Sequence, residues 1–422
     1  MALPAHMSSS RLSVAPMMEW TDRHYRFLAR MMTARAKLYT EMVVASDLAK
    51  KNPSGVGLLL DYSTEEHPIA LQLGGNDPEQ LRIATDTAFT HNNSAWDEIN
   101  LNCGCPSERV TNCVFGAALM HDAEVVRKCV SQMSRASRGV PVTVKCRLGT
   151  DRVHGYDHLS KFVATVSTGG AVKHFIIHSR ECVLSGLTPK QNRAVPPLRP
   201  SWVHQLQRDF PDLLFSVNGG IKSLEMAKRH LAPTPGCESL DGSRGGGGYM
   251  HYGSYRGLSE VEKNGNELAE EFEWSHLPPV GGVMIGREAY QRCWMLSTVD
   301  TDIFGAKRNP DFTRREILER YITYGQEMLA RYEAEHSRKE GPGYTRQNFI
   351  KPICGLFAME RFGKEWRRSI DREWSGKGRV GRKEPELREW VEAAMQDVPD
   401  AMLDAMPGVS FVPGVKIDGW HK

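Results

Sequence analysis

Val142-Thr143-Val144-Lys145-Cys146-Arg147 is a short β-branched run that closes on two cations, and runs of its kind recur along the chain. They lie at Leu12 to Met17, Lys37 to Met42, Ile69 to Leu73, Trp96 to Leu101, His174 to Ile177, Leu213 to Val217 and Val283 to Ile285. With Val142 to Cys146 they make eight. Apolar runs of this length, bounded by turn residues, read as strands buried on both faces. Amphipathic stretches separate them, among them Pro78 to Thr87, Glu124 to Ser134 and Lys222 to Leu231. Strands alternating with helices predict βαβ units in a parallel sheet. Eight such units between residues 12 and 306 predict an α/β fold of the closed kind, a (β/α)8 TIM barrel.

The remainder divides by composition. Residues 1–11 read as an N-terminal extension without the apolar core of a secretory signal. Gly236 to His276 holds Gly245-Gly246-Gly247-Gly248 and eight acidic residues against three basic ones, so a flexible insertion is expected between strands seven and eight. Its glycines are no phosphate loop, because no Lys-Ser/Thr follows and no strand leads in. Beyond the barrel, Thr313 to Arg338 and Arg346 to Arg372 have helical spacing, which predicts a helical domain over 307–375. Tyr344 to Lys383 carries eleven Lys/Arg against four Asp/Glu, a local charge of +7. Residues 376–422 read as a tail, and from Glu384 onward the balance reverses to eight acids against three bases. One basic face is thereby left to meet phosphates.

The 422 residues hold 54 Lys/Arg and 51 Asp/Glu, a net charge of +3, which excludes a histone-like polycation. No apolar run approaches the length of a membrane span. The nine cysteines include no C-x-x-C pair, so structural zinc and a disulfide framework are both poor readings, and no metal is expected. Reduced thiols favour an intracellular protein, most simply a cytoplasmic one, and a monomer is expected. The Ser-rich N-terminus is also compatible with targeting to a chloroplast or mitochondrion.

In a barrel, reactive groups lie just past the C-terminal ends of the strands. Here those ends read Pro16-Met17, Glu41, Gln72, Asn100 to Pro106, Lys145-Cys146-Arg147, His178-Ser179-Arg180, Asn218-Gly219-Gly220 and Gly286-Arg287. Loops seven and eight of barrels often bind phosphate, and Asn218-Gly219-Gly220 with Gly286-Arg287 offers glycines and a cation there. Gln72, Asn102, Lys145 and His178 complete a ring of donors that suits flavin mononucleotide (FMN), while a dinucleotide G-x-G-x-x-G is absent.

Val14-Ala15-Pro16-Met17, Asn100 to Pro106, Lys145-Cys146-Arg147 and the Asn-Gly-Gly turn together resemble the tRNA-dihydrouridine synthases. Leu184 to Arg193 followed by Pro196-Pro197-Leu198, and Lys351 to Phe357 with Trp366-Arg367-Arg368, are similar to the branch acting at tRNA positions 20 and 20a. The likeness runs from about Leu12 to Arg368, apart from the insertion. It implies FMN, NADPH or NADH as electron donor, and tRNA as substrate. It also implies hydride transfer to uracil C6 and protonation of C5 by Cys105, with Cys103 a structural neighbour. A thiol suits that task, since an ordinary cysteine is mostly protonated near neutral pH. Flavin contacts carry over to Pro16, Met17, Met18, Gln72, Lys145, His178, Asn218, Gly219, Gly220, Gly286 and Arg287. Substrate contacts carry over to Asn102, Arg147, Arg180, Lys190 and Arg193 near the pocket, and to Lys351, Arg367 and Arg368 in the helical domain. Two rivals are an FMN-dependent dehydrogenase of a free pyrimidine and an RNA-binding module without turnover. The basic helical region counts against the first, and intact Cys105, Lys145 and His178 against the second.

Overall fold

Strands β1 (Leu12–Val14), β2 (Lys37–Val44), β3 (Ile69–Gly74), β4 (Glu98–Cys103), β5 (Val142–Arg147), β6 (Val172–His178), β7 (Leu214–Asn218) and β8 (Gly282–Ile285) pair in parallel in chain order. β1 also pairs with β8, with Leu12 opposite Val283 and Val14 opposite Ile285, so the sheet closes into a barrel. This is a computed structural model that describes residues 10–50, 56–91, 94–106, 115–231, 277–335, 344–375 and 386–409. The expected insertion 236–276 lies outside those residues, as do most of the N-terminal extension and parts of the tail.

Side chains alternate across a strand, and β4 shows what that does here. Ile99, Leu101 and Cys103 point outward into the main apolar core, while Glu98, Asn100 and Asn102 are buried on the other face. The principal helices cover the outside: α1 (Arg23–Met32), α2 (Pro78–Thr90), α3 (Ala123–Ala136), α4 (Tyr156–Ser167), α5 (Ser201–Asp209), α6 (Leu224–His230) and α7 (Arg287–Gln291). Asp22, Asp77, Asp122 and Ser223 each cap a helix by accepting from a backbone N–H one turn in, which fixes where α1, α2, α3 and α6 begin. A separate apolar cluster of Ala15, Tyr39, Ala70, Ile176 and Met284 plugs the barrel interior. At the opposite rim from the strand ends, Leu231 after α6 bridges to Val280 before β8, and the Val280 N–H donates to the His230 carbonyl at 3.0 Å.

The C-terminal region is helical: α8 (Arg314–Glu335), α9 (Arg346–Ile353), α10 (Gly363–Ser375), α11 (Leu387–Met395) and α12 (Asp400–Leu403). α8 and α9 pack on α1 of the barrel. There Arg23 Nε donates to the Tyr324 hydroxyl at 3.1 Å, and the Phe27 and Tyr324 rings stack 3.8 Å apart. Arg314 is wholly buried, paired with Glu360 and lying 4.0 Å over the Trp294 ring. The sequence reading places 376–422 in a tail, but part of that stretch folds onto the helices. Leu387, Trp390, Val391 and Ala394 fall at helical spacing and are buried, and Trp390 Nε1 donates to the Ile370 carbonyl at 3.1 Å.

Trp390→Ala is therefore expected to cost about 3–5 kcal/mol of unfolding free energy, as the loss of a packed tryptophan does. Urea unfolding followed by circular dichroism checks this. An unchanged midpoint would show that α11 contributes nothing to the helical region.

Candidate active site

At the C-terminal ends of the strands a cleft of about 560 Å³ opens, lined by the loops after β1, β4, β6, β7 and β8 and by Met42, Gln72, Lys145 and Arg147 from β2, β3 and β5 themselves. After β1 the chain turns tightly: the N–H groups of Trp20 and Thr21 donate to the Met17 carbonyl at 3.2 and 3.0 Å. That turn puts Pro16, Met17 and the exposed Met18 on the cleft wall. Gln72, Asn102, Cys105, Lys145, Arg147, His178, Arg180, Arg193, Asn218, Gly219, Gly220, Gly286 and Arg287 also line it. Four of the residues named from the sequence do not. Lys190 is exposed just before the short turn Gln191–Arg193, and Lys351 on α9 and Arg367 and Arg368 on α10 are exposed on the helical region.

Cys105 owes its place to Asn102. The Asn102 Oδ1 accepts from the N–H groups of Gly104 and Cys105, both at 3.0 Å, which curls the chain back over the end of β4. Cys103, on the outer face, is fully buried, and that burial pushes its thiol well above the ordinary range. The two cysteines thus differ in access as well as position. Arg147 is buried and spends its guanidinium on backbone: Nε donates to the Gly104 carbonyl at 3.0 Å, and Nη1 to the Glu181 carbonyl at 3.0 Å and the Asn192 carbonyl at 2.9 Å. It ties the Cys105 loop to the loop after β6.

The cleft is electropositive. Burial, helped by the Arg147 cation, pulls the Lys145 ammonium down to about 8. Burial and the same cations hold His178 well below its ordinary value, so its imidazole is neutral. Burial and the facing Arg287 cation lower Arg193 too. Two mutually repelling guanidinium groups across a cleft form a ready seat for an anion. His178 Nδ1 is buried with no partner among the described residues. Gly219 and Gly220 adopt φ of +100° and +74°, and a Cβ on Gly220 would meet the Leu198 side chain at 2.4 Å. Only glycine serves at that position without a shift. These donors and the open backbone fit a phosphate-bearing, polar-ringed cofactor such as a flavin.

The structure adds Trp20, Met42, Lys222 and Glu288 to the lining. Lys222 and Glu288 stand two and one residues past motifs already singled out, so proximity was their signal. Met42 replaces Glu41, the polar group expected at the end of strand two. The register between β2 and β3 shifts between Tyr39 and Met42, which turns Met42 to the cleft, while the Glu41 carboxylate accepts from the Glu19 N–H.

The family model "Dihydrouridine synthase (Dus)" matches residues 13–245. The chain belongs to the dihydrouridine synthase family. Relatives called tRNA-dihydrouridine(20/20a) synthase include those of Salmonella typhimurium (44% identical, covering 87% of this chain and 90% of the relative), Escherichia coli K12 (44%, 86% and 86%) and Vibrio vulnificus (38%, 86% and 91%). A solved morphinone reductase aligns with 71% of this chain and 88% of its own, at 10% identity and a TM-score of 0.40, too weak a likeness to argue from. The barrel and its helical region are thus those of an enzyme of this family.

Arg147→Lys tests the tie between the two loops. Lysine cannot present three donors in a fixed fork, so residues 180–195 should be cleaved faster by trypsin and chymotrypsin in limited proteolysis. Wild-type cleavage rates in that loop would show that Arg147 does not hold it.

Proposed function

We propose that this protein is a flavin-dependent tRNA-dihydrouridine synthase that reduces the C5–C6 bond of uridine at positions 20 and 20a of the D-loop. FMN is its cofactor and NADPH or NADH its electron donor. The observation that carries the reading is an accessible thiol, Cys105, held by Asn102 at the mouth of an electropositive cleft in a chain of this family. Gly219, Gly220, Gly286 and Arg287, with Asn218 beside them, would hold the phosphate. Gln72, Lys145 and His178 would meet the polar edge of the ring, and Pro16, Met17 and Met18 its face. When bound, the flavin supplies the hydride for uracil C6. Cys105 gives its proton to C5 and recovers one from water. Lys145 adds positive charge where negative charge collects as the flavin is reduced.

A uracil inside folded tRNA reaches such a cleft only by leaving its stack, which costs least in a flexible loop. Arg180, Lys190 and Arg193 would flank the entering nucleotide, and Lys351, Arg367 and Arg368 would grip phosphates further away. The seven free cysteines among the described residues suit a reducing compartment, and we read the protein as an intracellular monomer.

Cys105→Ala should keep the yellow flavin spectrum and slow dihydrouridine formation by roughly 100- to 10,000-fold, the worth of a general acid. Near-normal single-turnover rates would sink the assignment. Replacing Lys351, Arg367 and Arg368 together by Ala should weaken tRNA binding and flatten its salt dependence, by somewhat under one unit of log–log slope per lost phosphate contact. Fluorescence titration at several salt concentrations reads this out, and an unchanged slope would remove the helical region from the RNA interface.

A further inference from the structure

A continuous hydrogen-bond chain crosses the barrel interior beneath the cleft. Lys37 Nζ donates to Glu98 Oε2 at 2.7 Å, and the Tyr39 hydroxyl donates to Glu98 Oε1. Thr143 Oγ1 donates to the same Oε1 at 2.6 Å. Asn100 Nδ2 then donates to Thr143 Oγ1 at 2.7 Å, Gln72 Nε2 to Asn100 Oδ1 at 2.7 Å, and Asn102 Nδ2 to Gln72 Oε1 at 2.8 Å. The chain ends where Asn102 Oδ1 receives the N–H groups of Gly104 and Cys105. Strand register builds it: Gln72 and Thr143 lie opposite Asn100 on either side, and Glu98, Asn100 and Asn102 share one face of β4. Every member is buried.

We propose that Glu98, at the end of β4 far from the cleft, fixes the direction of this chain and is thereby a positioning residue for the Cys105 loop. A hydroxyl or an amide can face either way along such a chain, but a carboxylate only accepts. Because Glu98 accepts, Thr143 must donate down to it and offer its lone pair upward. Each amide above is then forced into one orientation, and Asn102 is left with its oxygen toward Cys105. Burial alone would raise the Glu98 carboxyl, but Lys37, His174 and the hydrogen bonds outweigh it and hold it below the usual range, so it stays ionised. The consequence for turnover rests on the reading of Cys105 as proton donor; the consequence for the loop does not.

Glu98→Gln is the informative change. The Lys37 ammonium claims the new carbonyl oxygen, which turns the new NH₂ toward Tyr39 and Thr143. Thr143 then accepts from below and donates upward, and the amides above reverse in turn. Asn102 would present its NH₂ to the two N–H groups it now accepts from, and the loop would be released. Adding Lys37→Met frees the glutamine to turn its oxygen back to Thr143, so the double variant should restore the loop. A stability effect follows the same course, since Glu98→Gln orphans the buried Lys37 charge and Lys37→Met removes it, so a change that spares the ion pair is needed to separate the two.

Hydrogen-exchange mass spectrometry of the flavin-loaded protein, on the peptide holding Gly104 and Cys105, reads the loop directly. Exchange there should quicken roughly 10-fold or more in Glu98→Gln, the worth of a lost hydrogen bond, and return to wild type in Lys37→Met/Glu98→Gln. Unchanged exchange in the single variant overturns the proposal, and so does exchange that stays fast in the double. Thr143→Val against Thr143→Ser makes that separation, whether or not Glu98→Gln folds: both spare the ion pair, and only the valine, which cuts the chain, should quicken exchange. Equal exchange in those two would overturn the proposal as well. Single-turnover oxidation of the reduced enzyme by tRNA should slow and recover in step with exchange. A loop that loosens and recovers while turnover stays constant would uphold the chain and count against Cys105 as the proton donor.

Discussion

A closed eight-stranded barrel points half of its strand residues at one another, and whatever lies there must be either apolar or fully hydrogen-bonded. Barrels of this kind usually fill that space with layers of branched apolar side chains. Here the apolar filling is one cluster, Ala15, Tyr39, Ala70, Ile176 and Met284, and the inward face of β4 is polar throughout. The buried Lys37–Glu98 pair makes that arrangement tolerable, since each charge answers the other and Glu98 takes up two hydroxyls besides. A buried pair of this sort adds little net stability, but removing one partner leaves an orphan charge that costs about 3–5 kcal/mol. The floor of the cleft is therefore stiff because it is polar. That stiffness is what a rim of loops needs if it is to hold side chains in fixed geometry.

How far this could be read from residues alone follows from the same alternation. The eight strands were legible because parallel strands bury both faces and stand out as short apolar runs. Their polar ends were legible because barrels collect function there, and sixteen of the twenty site residues named from the sequence line one cleft. Two kinds of information were not legible. The shift in β2 that exchanges Glu41 for Met42 is a local irregularity with no compositional mark. Residues 387–403 were judged by charge, which hid the apolar stripe of Leu387, Trp390, Val391 and Ala394. Glu98 was passed over, and Asn100 given no role within its motif, for a related reason: on a strand, polar residues facing inward look the same in sequence as polar residues facing water.

The helical region is bound to the barrel through α1 and through the segment that follows β8. Arg23, His24 and Phe27 of α1 meet Tyr324, Tyr344 and Phe349 in a dense aromatic joint. His24 sits there as a neutral ring, its basicity suppressed by burial and by Arg23 and Arg26.

The bridge between Leu231 and Val280 has a consequence for how the chain can vary. It brings the two ends of the long connection before β8 into hydrogen-bonding contact, on the rim away from the cleft. Whatever is spliced between those ends leaves and returns at one point, so strand spacing does not depend on its length. Lengthening such a connection costs only closure entropy, about 0.6 kcal/mol for each doubling. The barrel thus holds a port at which sequence can be added or removed at low thermodynamic cost, its two ends set on the rim away from the cleft.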